Sequence, residues 1–305
     1  KTEVGLELAL RMGGEIISAD SMQVYKRLRV GTAKPTPEEA RGVPYHGVDF
    51  IEPTERFHLG AFMEMADRLI GEIVARGKRP LIVGGTGLYI KALLQGVFEA
   101  PEVDPEVRRR LQQRLERGGA RALHAELAHV DPEAADLISP NDPIRITRAL
   151  ELWEQTGRPI SDLWRESRSD RARYPYHLFV LAAERQVLYD RIERRVERMF
   201  DAGLAHEVRR LVASGVSPDS HAFKALGYRH VLAWLEGRLS RAEAIEEMKK
   251  HSRNYAKRQL TWFRAMEGAV WIDVTGRTVR AIAETIERHV AEEPPRTDTW
   301  WTDEV

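Results

Sequence analysis

The sequence contains no cysteine. This excludes disulfide bridges and thiolate metal sites, so any metal would be held through oxygen or imidazole, a ligand set that suits Mg2+. Long apolar runs are also missing. None approaches the roughly 20 residues that a membrane-spanning helix needs, and the opening residues lack the basic, apolar and small-residue regions of a secretion signal. A cytoplasmic protein with no membrane partner is therefore expected. Net charge is zero, with 47 basic against 47 acidic residues, so there is no whole-molecule attraction for a polyanion and any such attraction must be local. No internal repeats are found.

What the chain does have is length and apolar content, 305 residues of which 43% are hydrophobic, enough for a sizeable core and about two domains. It opens at Lys1 rather than Met, so further residues are expected before it. Apolar runs at 15–18, 80–83 and 177–181, with a fourth at 270–273, read as strands of a parallel sheet. Between them, 59–75 carries helical spacing at Phe62, Met65, Ala66, Leu69 and Ile73. This alternation predicts an open α/β sheet whose working residues gather at the carboxyl ends of strands. From 101 to 174 the strand signal disappears, and helices are predicted at 105–117, 120–128 and 143–155. A strand resumes at His177, so 101–175 is expected to be an all-helical domain inserted into a discontinuous core of 1–100 and 176–291, with linkers at 96–104 and 168–175. Helices at 187–200, 205–213 and 240–263 follow, and the Pro-, Thr- and Trp-rich tail 292–305 is expected to be poorly ordered.

Several short constellations could carry chemistry. Lys1-Thr2 precedes a helical pattern of Val4, Leu8 and Met12, then a strand ending at Asp20. In P-loop proteins a Lys and a Ser or Thr close a glycine-rich loop at such a helix start, where backbone amides hold phosphates; an ordinary helix start reads the same way. Asp20 could accept a proton or orient Mg2+, or simply cap a turn. Gly84-Gly85-Thr86-Gly87 joins a strand to the helix at 88–94, so backbone could approach a ligand and Thr86 offer its hydroxyl; a tight turn is the plainer alternative. Lys224-Ala225-Leu226-Gly227-Tyr228-Arg229 sets two cations around a glycine, suited to diphosphate or RNA, with Tyr228 either stacking on a base or buried. Asp142 and Pro143 read as the start of a helix presenting Arg145 and Arg148 on one face. From 249 to 264 the chain carries six Lys or Arg, three aromatics and no acid, with Lys250, Asn254, Lys257, Arg258 and Thr261 on one side and Ala256, Leu260 and Phe263 toward the core. That helix is the strongest unaided sign of a polyanion partner.

Taken together, DSMQVY, GTAKP, VGGTGLY, NDPxRxxRALE, KALGYR and AKRQLTWFR resemble the bacterial tRNA dimethylallyltransferase family in order and spacing, from Lys1 to about Asp273. The resemblance implies an α/β fold with a P-loop NTPase-like parallel sheet core, its phosphate loop closed by Lys1 and Thr2, and an inserted helical tRNA-binding domain. It implies transfer of a dimethylallyl group from dimethylallyl diphosphate to N6 of the adenosine 3′-adjacent to the anticodon, with Mg2+ near Thr2. Asp20 then corresponds to the general base, and Ser21, Met22 and Gln23 lie where the target adenosine is contacted. Thr86 and Arg229 line the reaction channel, and Lys1, Thr2 and Arg229 hold diphosphate. Arg108, Ile144, Arg145, Arg148, Lys224, Gly227, Tyr228, Lys257 and Arg258 fall on the tRNA-contacting side, although Ile144 departs from the Gln often found there. The expected partners are a tRNA anticodon stem-loop and dimethylallyl diphosphate, and the expected state is a monomer. A P-loop kinase, an adenylate isopentenyltransferase and a non-catalytic RNA-binding protein are the competing readings.

Overall fold

The computed structural model describes residues 1–96, 101–167 and 171–298. In chain order its elements are α1 (Thr2–Met12), β1 (Gly14–Ala19), α2 (Pro37–Ala40), β2 (Tyr45–His46), α3 (Leu59–Ala75), β3 (Arg79–Gly84), α4 (Gly87–Gln95), α5 (Pro105–Val130), α6 (Pro132–Leu137), α7 (Pro143–Thr156) and α8 (Ile160–Glu166). Then follow β4 (Arg171–Tyr176), β5 (Phe179–Ala182), α9 (Arg185–Asp201), α10 (Leu204–Ala213), a 3-10 turn at His221–Lys224, α11 (Tyr228–Leu235), α12 (Arg241–Arg264), β6 (Val270–Asp273), α13 (Val279–Glu292) and β7 (Arg296–Asp298). The chain divides into two compact units, Lys1–Leu93 with Pro175–Arg296, and Leu94–Tyr174 with the chain from Thr297.

In the first unit β1 is buried along its whole length, as expected of a central strand in a parallel sheet. It lies between β2 and β3, with Ile16 opposite both Tyr45 and Leu81. Leu6 and Ala9 of α1 pack with Ile16 on one face, and Leu69 and Ile73 of α3 pack with Ile17 on the other. Each leucine or isoleucine side chain among these contributes about 1.5–3 kcal/mol when fully buried. The second parallel pair, β5 with β6, supplies Ile272 to a cluster with Val4 and Leu8 of α1 and Ile282 and Ile286 of α13.

The second unit has its own core, in which Leu111, Leu123 and Leu127 of α5 meet Ile146 and Leu150 of α7. Asp131 is buried and ties this unit together, one carboxylate oxygen accepting from the Ala134 amide and the other from the Ser161 amide, both at 3.0 Å. At the start of α7, Asp142 caps the Arg145 amide with Pro143 in the first turn.

Three expectations are corrected and one is met. The predicted strands do not form one hydrogen-bonded sheet: β1 and β3 pair with the unforeseen two-residue β2, while β5 and β6 form a separate pair. The two helices predicted at 105–117 and 120–128 are found as the two halves of α5, which meet where Gly119 leaves the helical conformation with φ 74°. Strand signal does not vanish before His177, because β4 occupies much of the predicted linker 168–175; its alternating burial and its proline suit the two-stranded sheet it forms with β7. The tail predicted to be poorly ordered from 292 forms β7 within it, leaving 299–305 outside the described residues.

Candidate active site

The site forms where β1 and β3 end. Their parallel pairing brings Ala19 opposite Gly84, and the following residues are tied across: the Thr86 amide donates to the Ala19 carbonyl at 3.1 Å, and the Ser21 amide donates to Thr86 Oγ1 at 3.2 Å. Here the chains must touch. A Cβ at Gly84 would collide with the Ala19 carbonyl, and one at Gly85 would lie 2.8 Å from Lys1 Nζ.

Asp20 sits in this junction with its two oxygens in different situations. Oδ1 accepts from the amides of Met22 at 2.8 Å and Gln23 at 3.2 Å, which caps the turn and fixes the carboxylate plane. Oδ2 has no hydrogen-bond partner among the described residues. The turn-capping and proton-accepting roles are therefore compatible in one side chain.

Two cations and two phenols surround the carboxylate. Burial holds the Lys1 amine below its ordinary value; the Asp20 charge opposes this and Arg195 adds to it. Arg195 of α9 is held down by burial as well, again with Asp20 opposing. Both side chains keep solvent-accessible surface although protein atoms crowd them. The Tyr45 hydroxyl bonds Thr2 and Ser18, and burial pushes its pKa up to about 12. Tyr255 of α12 bonds Gln259 and Thr86, and burial and the Asp20 charge raise its pKa too. Both phenols thus stay protonated at neutral pH. Gln259 completes the wall by donating to the Gly85 carbonyl at 2.7 Å. A carboxylate with one open oxygen, beside two cations and several hydroxyl donors, can accept a proton while holding an anion.

The structure brings Lys1, Thr2, Asp20, Ser21 and Thr86 together. It gives others different surroundings. Gln23 is buried, accepting from Ser18 Oγ at 3.0 Å and donating to the Thr32 carbonyl at 3.1 Å, so both ends of its amide serve the protein. Tyr228 has no exposed surface and donates its hydroxyl to Glu207 at 2.5 Å, which removes its ring from any stacking role. The same Glu207 accepts from the amides of Arg29, Val30 and Gly31, so Tyr228 and Glu207 together anchor the 30–35 loop. Met22 is half-buried and Gly227 takes φ 102° just before α11. Arg229 is exposed on α11, and among the described residues no interaction ties it to Asp20; the guanidinium of Arg195 does interact with Asp20. Arg195, Tyr45, Tyr255 and Gln259 were not anticipated.

Of the expected RNA-contacting residues in the first unit, Lys224, Lys257 and Arg258 are exposed, Arg258 lying 5.7 Å above the Tyr255 ring. In the second unit Arg108 and Arg148 both bond the buried Glu151, at 2.9 and 3.5 Å. Ile144 is 79% exposed beside Arg145 at the start of α7.

A parallel sheet with a polar, cation-lined cleft at its strand ends defines an α/β enzyme acting on an anionic substrate. Residues 23–266 match the family model described as IPP transferase, and the chain belongs to that family. It is 46% identical over 293 residues to the tRNA dimethylallyltransferase of Geobacillus thermodenitrificans, covering 95% of this chain and 92% of that one. It is 45% identical to the protein of the same name from Geobacter metallireducens, covering 91% and 90% of the two chains. Among solved structures it resembles the full-length tRNA isopentenylpyrophosphate transferase of Bacillus halodurans, with TM-score 0.71, 40% identity and 95% and 91% coverage. It also resembles a eukaryotic dimethylallyltransferase acting on tRNA, with TM-score 0.81, 26% identity and 97% and 78% coverage.

Proposed function

We propose that this protein transfers the dimethylallyl group of dimethylallyl diphosphate to N6 of the adenosine 3′-adjacent to the anticodon of tRNA, releasing diphosphate. One observation carries the mechanism: the open Oδ2 of Asp20 lies in a cleft that also holds Lys1 and Arg195. The exocyclic amine of adenine is a weak nucleophile. As its nitrogen bonds to the allylic carbon and the carbon–oxygen bond to diphosphate breaks, the N6 proton passes to Asp20 Oδ2, which lowers the barrier. Lys1 and Arg195 neutralise the charge that builds on the departing diphosphate, and the phenols of Tyr45 and Tyr255 donate to it or hold Thr2 and Thr86 in place. Bound anion restores the charged form of Lys1 that burial disfavours.

The core is read as P-loop-like, supported by Lys1 and Thr2 at the start of α1 and by the strand order β2-β1-β3. Oxygen donors at Thr2 and Asp20 suit Mg2+, which would be held there with substrate phosphates and supply further charge neutralisation. The protein is read as acting as a monomer. Among the described residues no helix is long and apolar enough to cross a membrane, and the reaction is assigned to the cytoplasm.

The test is to incubate the protein with an anticodon stem-loop and dimethylallyl diphosphate and weigh the RNA. The expected result is a mass gain of one dimethylallyl group replacing hydrogen, lost in Asp20→Ala while RNA binding survives. Unmodified RNA alongside prenylated AMP would overturn the choice of substrate, and phosphoryl transfer from ATP would overturn the reaction class.

A further inference from the structure

Glu207 of α10 directs both carboxylate oxygens at a loop that adjoins the Asp20 turn. Oε2 accepts from the amides of Arg29 and Val30, each at 2.9 Å, and Oε1 from the Gly31 amide at 3.3 Å. Three successive N–H groups aimed at one anion form a concave backbone nest, filled here by a side chain 178 residues beyond Arg29. The Tyr228 hydroxyl donates to Oε1 at 2.5 Å, and its ring lies so close to the loop that a Cβ at Gly31 would stand 2.4 Å from it. The loop needs such a clamp. Ala33 takes φ 48° with its side chain exposed, and a residue with a Cβ keeps that conformation only where its surroundings hold it.

The residue after the nest reaches the turn. The Thr32 carbonyl accepts from Gln23 Nε2 at 3.1 Å, while Ser18 Oγ donates to Gln23 Oε1 at 3.0 Å, so the Gln23 carboxamide is fixed at both ends. The Gln23 backbone amide in turn donates to Asp20 Oδ1 at 3.2 Å, beside that of Met22 at 2.8 Å. A second strut runs alongside: buried Lys34 donates to the Tyr25 carbonyl and pairs with Asp49 at 2.6 Å, and the Asp49 amide donates to the Gln23 carbonyl at 3.1 Å. A shift of residues 29–32 is thereby passed to the amides that set the Asp20 carboxylate plane.

We propose that Glu207 is a positioning residue for the transfer reaction: by holding residues 29–31 it sets the Thr32 carbonyl, through it Gln23, and so the aim of the open Asp20 oxygen at the nucleobase amine. The proposal rests on the function given above. Glu207 bonds the loop and Tyr228, so its effect is indirect and falls on alignment. Lys1 and Arg195, which face the diphosphate, lie outside the relay, and diphosphate binding is left intact.

The test compares Glu207→Ala, Glu207→Gln and Tyr228→Phe with the parent chain, below every melting transition, by steady-state transfer kinetics and by amide hydrogen exchange. Glu207→Ala is expected to lower kcat by about 10–100-fold, the scale of a small misplacement of a reacting group, with KM for dimethylallyl diphosphate unchanged. Exchange should quicken at residues 29–31 and also at Met22 and Gln23. Glu207→Gln keeps an acceptor for Arg29 and Val30 but turns an amine toward the Gly31 amide, and Tyr228→Phe keeps the carboxylate. Both should fall between the parent and Glu207→Ala, and they decide the matter if Glu207→Ala does not fold. Faster exchange confined to 29–31, exchange quickened equally throughout the first unit, or an unchanged kcat would make Glu207 a structural anchor and overturn the proposal. Exchange needs no substrate. A parent chain that fails to transfer the group sinks the proposed function, while Met22 and Gln23 still report whether the relay exists.

Discussion

Asp20 can reconcile two roles that a sequence presents as rivals, because the amides of Met22 and Gln23 hold one oxygen and leave the other without a hydrogen-bond partner among the described residues. The same division of labour separates the arginines. Arg195 is crowded by protein and coupled to Asp20, whereas Arg229 is exposed on α11 with no such tie. Arg195→Ala is accordingly expected to lower kcat/KM for dimethylallyl diphosphate by about 10²–10³-fold, the range for removing one preorganised donor from a developing anion. Arg229→Ala should cost far less, and steady-state kinetics on the two variants decides between them; equal losses would reverse the assignment. Asp20, Thr86, Lys1 and Thr2 were legible because they stand at strand ends or at a helix start. Arg195 was not, since it is one of five arginines on one highly charged helix, four of them between 191 and 198. Nothing in local spacing distinguishes the one that faces a carboxylate. Tyr255 was hidden in the basic aromatic run, where its neighbours Lys257 and Arg258 dominate the pattern.

Among the elements, helices with strong apolar periodicity were the most legible. The span predicted for α3 coincides with the observed Leu59–Ala75, and α12 starts at a capping box in which Ser240 and Glu243 satisfy each other's amides. Short or edge strands such as β2, β4 and β7 were missed, because pairing with distant chain rather than local propensity creates them. The β1–β3 junction gives a sharper test. Alanine at Gly84 would drive a methyl group into the Ala19 carbonyl, so Gly84→Ala is expected to destabilise the fold by about 1–3 kcal/mol and to reduce transfer by displacing Asp20 and Thr86. Thermal melting alongside the transfer assay checks both, and an unshifted melting temperature would contradict the close contact. The contact of α11 with α12 has its own signature. Burial, helped by Arg229 and His251, pulls the His230 pKa down to about 4, while His230 Nε2 and His251 Nδ1 sit 2.8 Å apart. The unfolded chain protonates this imidazole near its ordinary pKa of 6.5, so between pH 6.5 and 4 the unfolded state binds more protons. Stability is therefore complete above that window and falls as pH falls through it, by about 2–3 kcal/mol in all. Urea midpoints at pH 7 and pH 4.5 should show this loss in the parent chain and less of it in His230→Gln; equal losses would remove His230 as the cause.

For the whole molecule, zero net charge conceals how selectively its charges are cancelled. Along α12, Lys249 pairs with Glu197 and Glu246, Lys250 with Glu247, and Arg253 with Glu193. The basic stretch read from the sequence thus narrows to Lys257, Arg258 and Arg264, which have no carboxylate partner among the described residues. Composition could not reveal this, because the pairing acids lie on α9 and one turn back on α12. In the other unit Arg108 and Arg148 converge on Glu151, which orders them at the surface next to the Arg145 end of α7. If each unit holds the same RNA, its phosphate contacts must add. Lys257→Ala and Arg145→Ala are each expected to weaken stem-loop binding and to reduce the logarithmic salt slope by about 0.7–0.9, with the double variant losing about twice that. Affinity for dimethylallyl diphosphate should be unchanged in all three, because neither side chain belongs to the Asp20 cleft. Binding isotherms from low to moderate salt measure the slopes directly. A double variant no worse than either single one would mean that the two units do not engage one RNA together, and a flat response to Arg145→Ala alone would restrict RNA binding to the unit that carries α12.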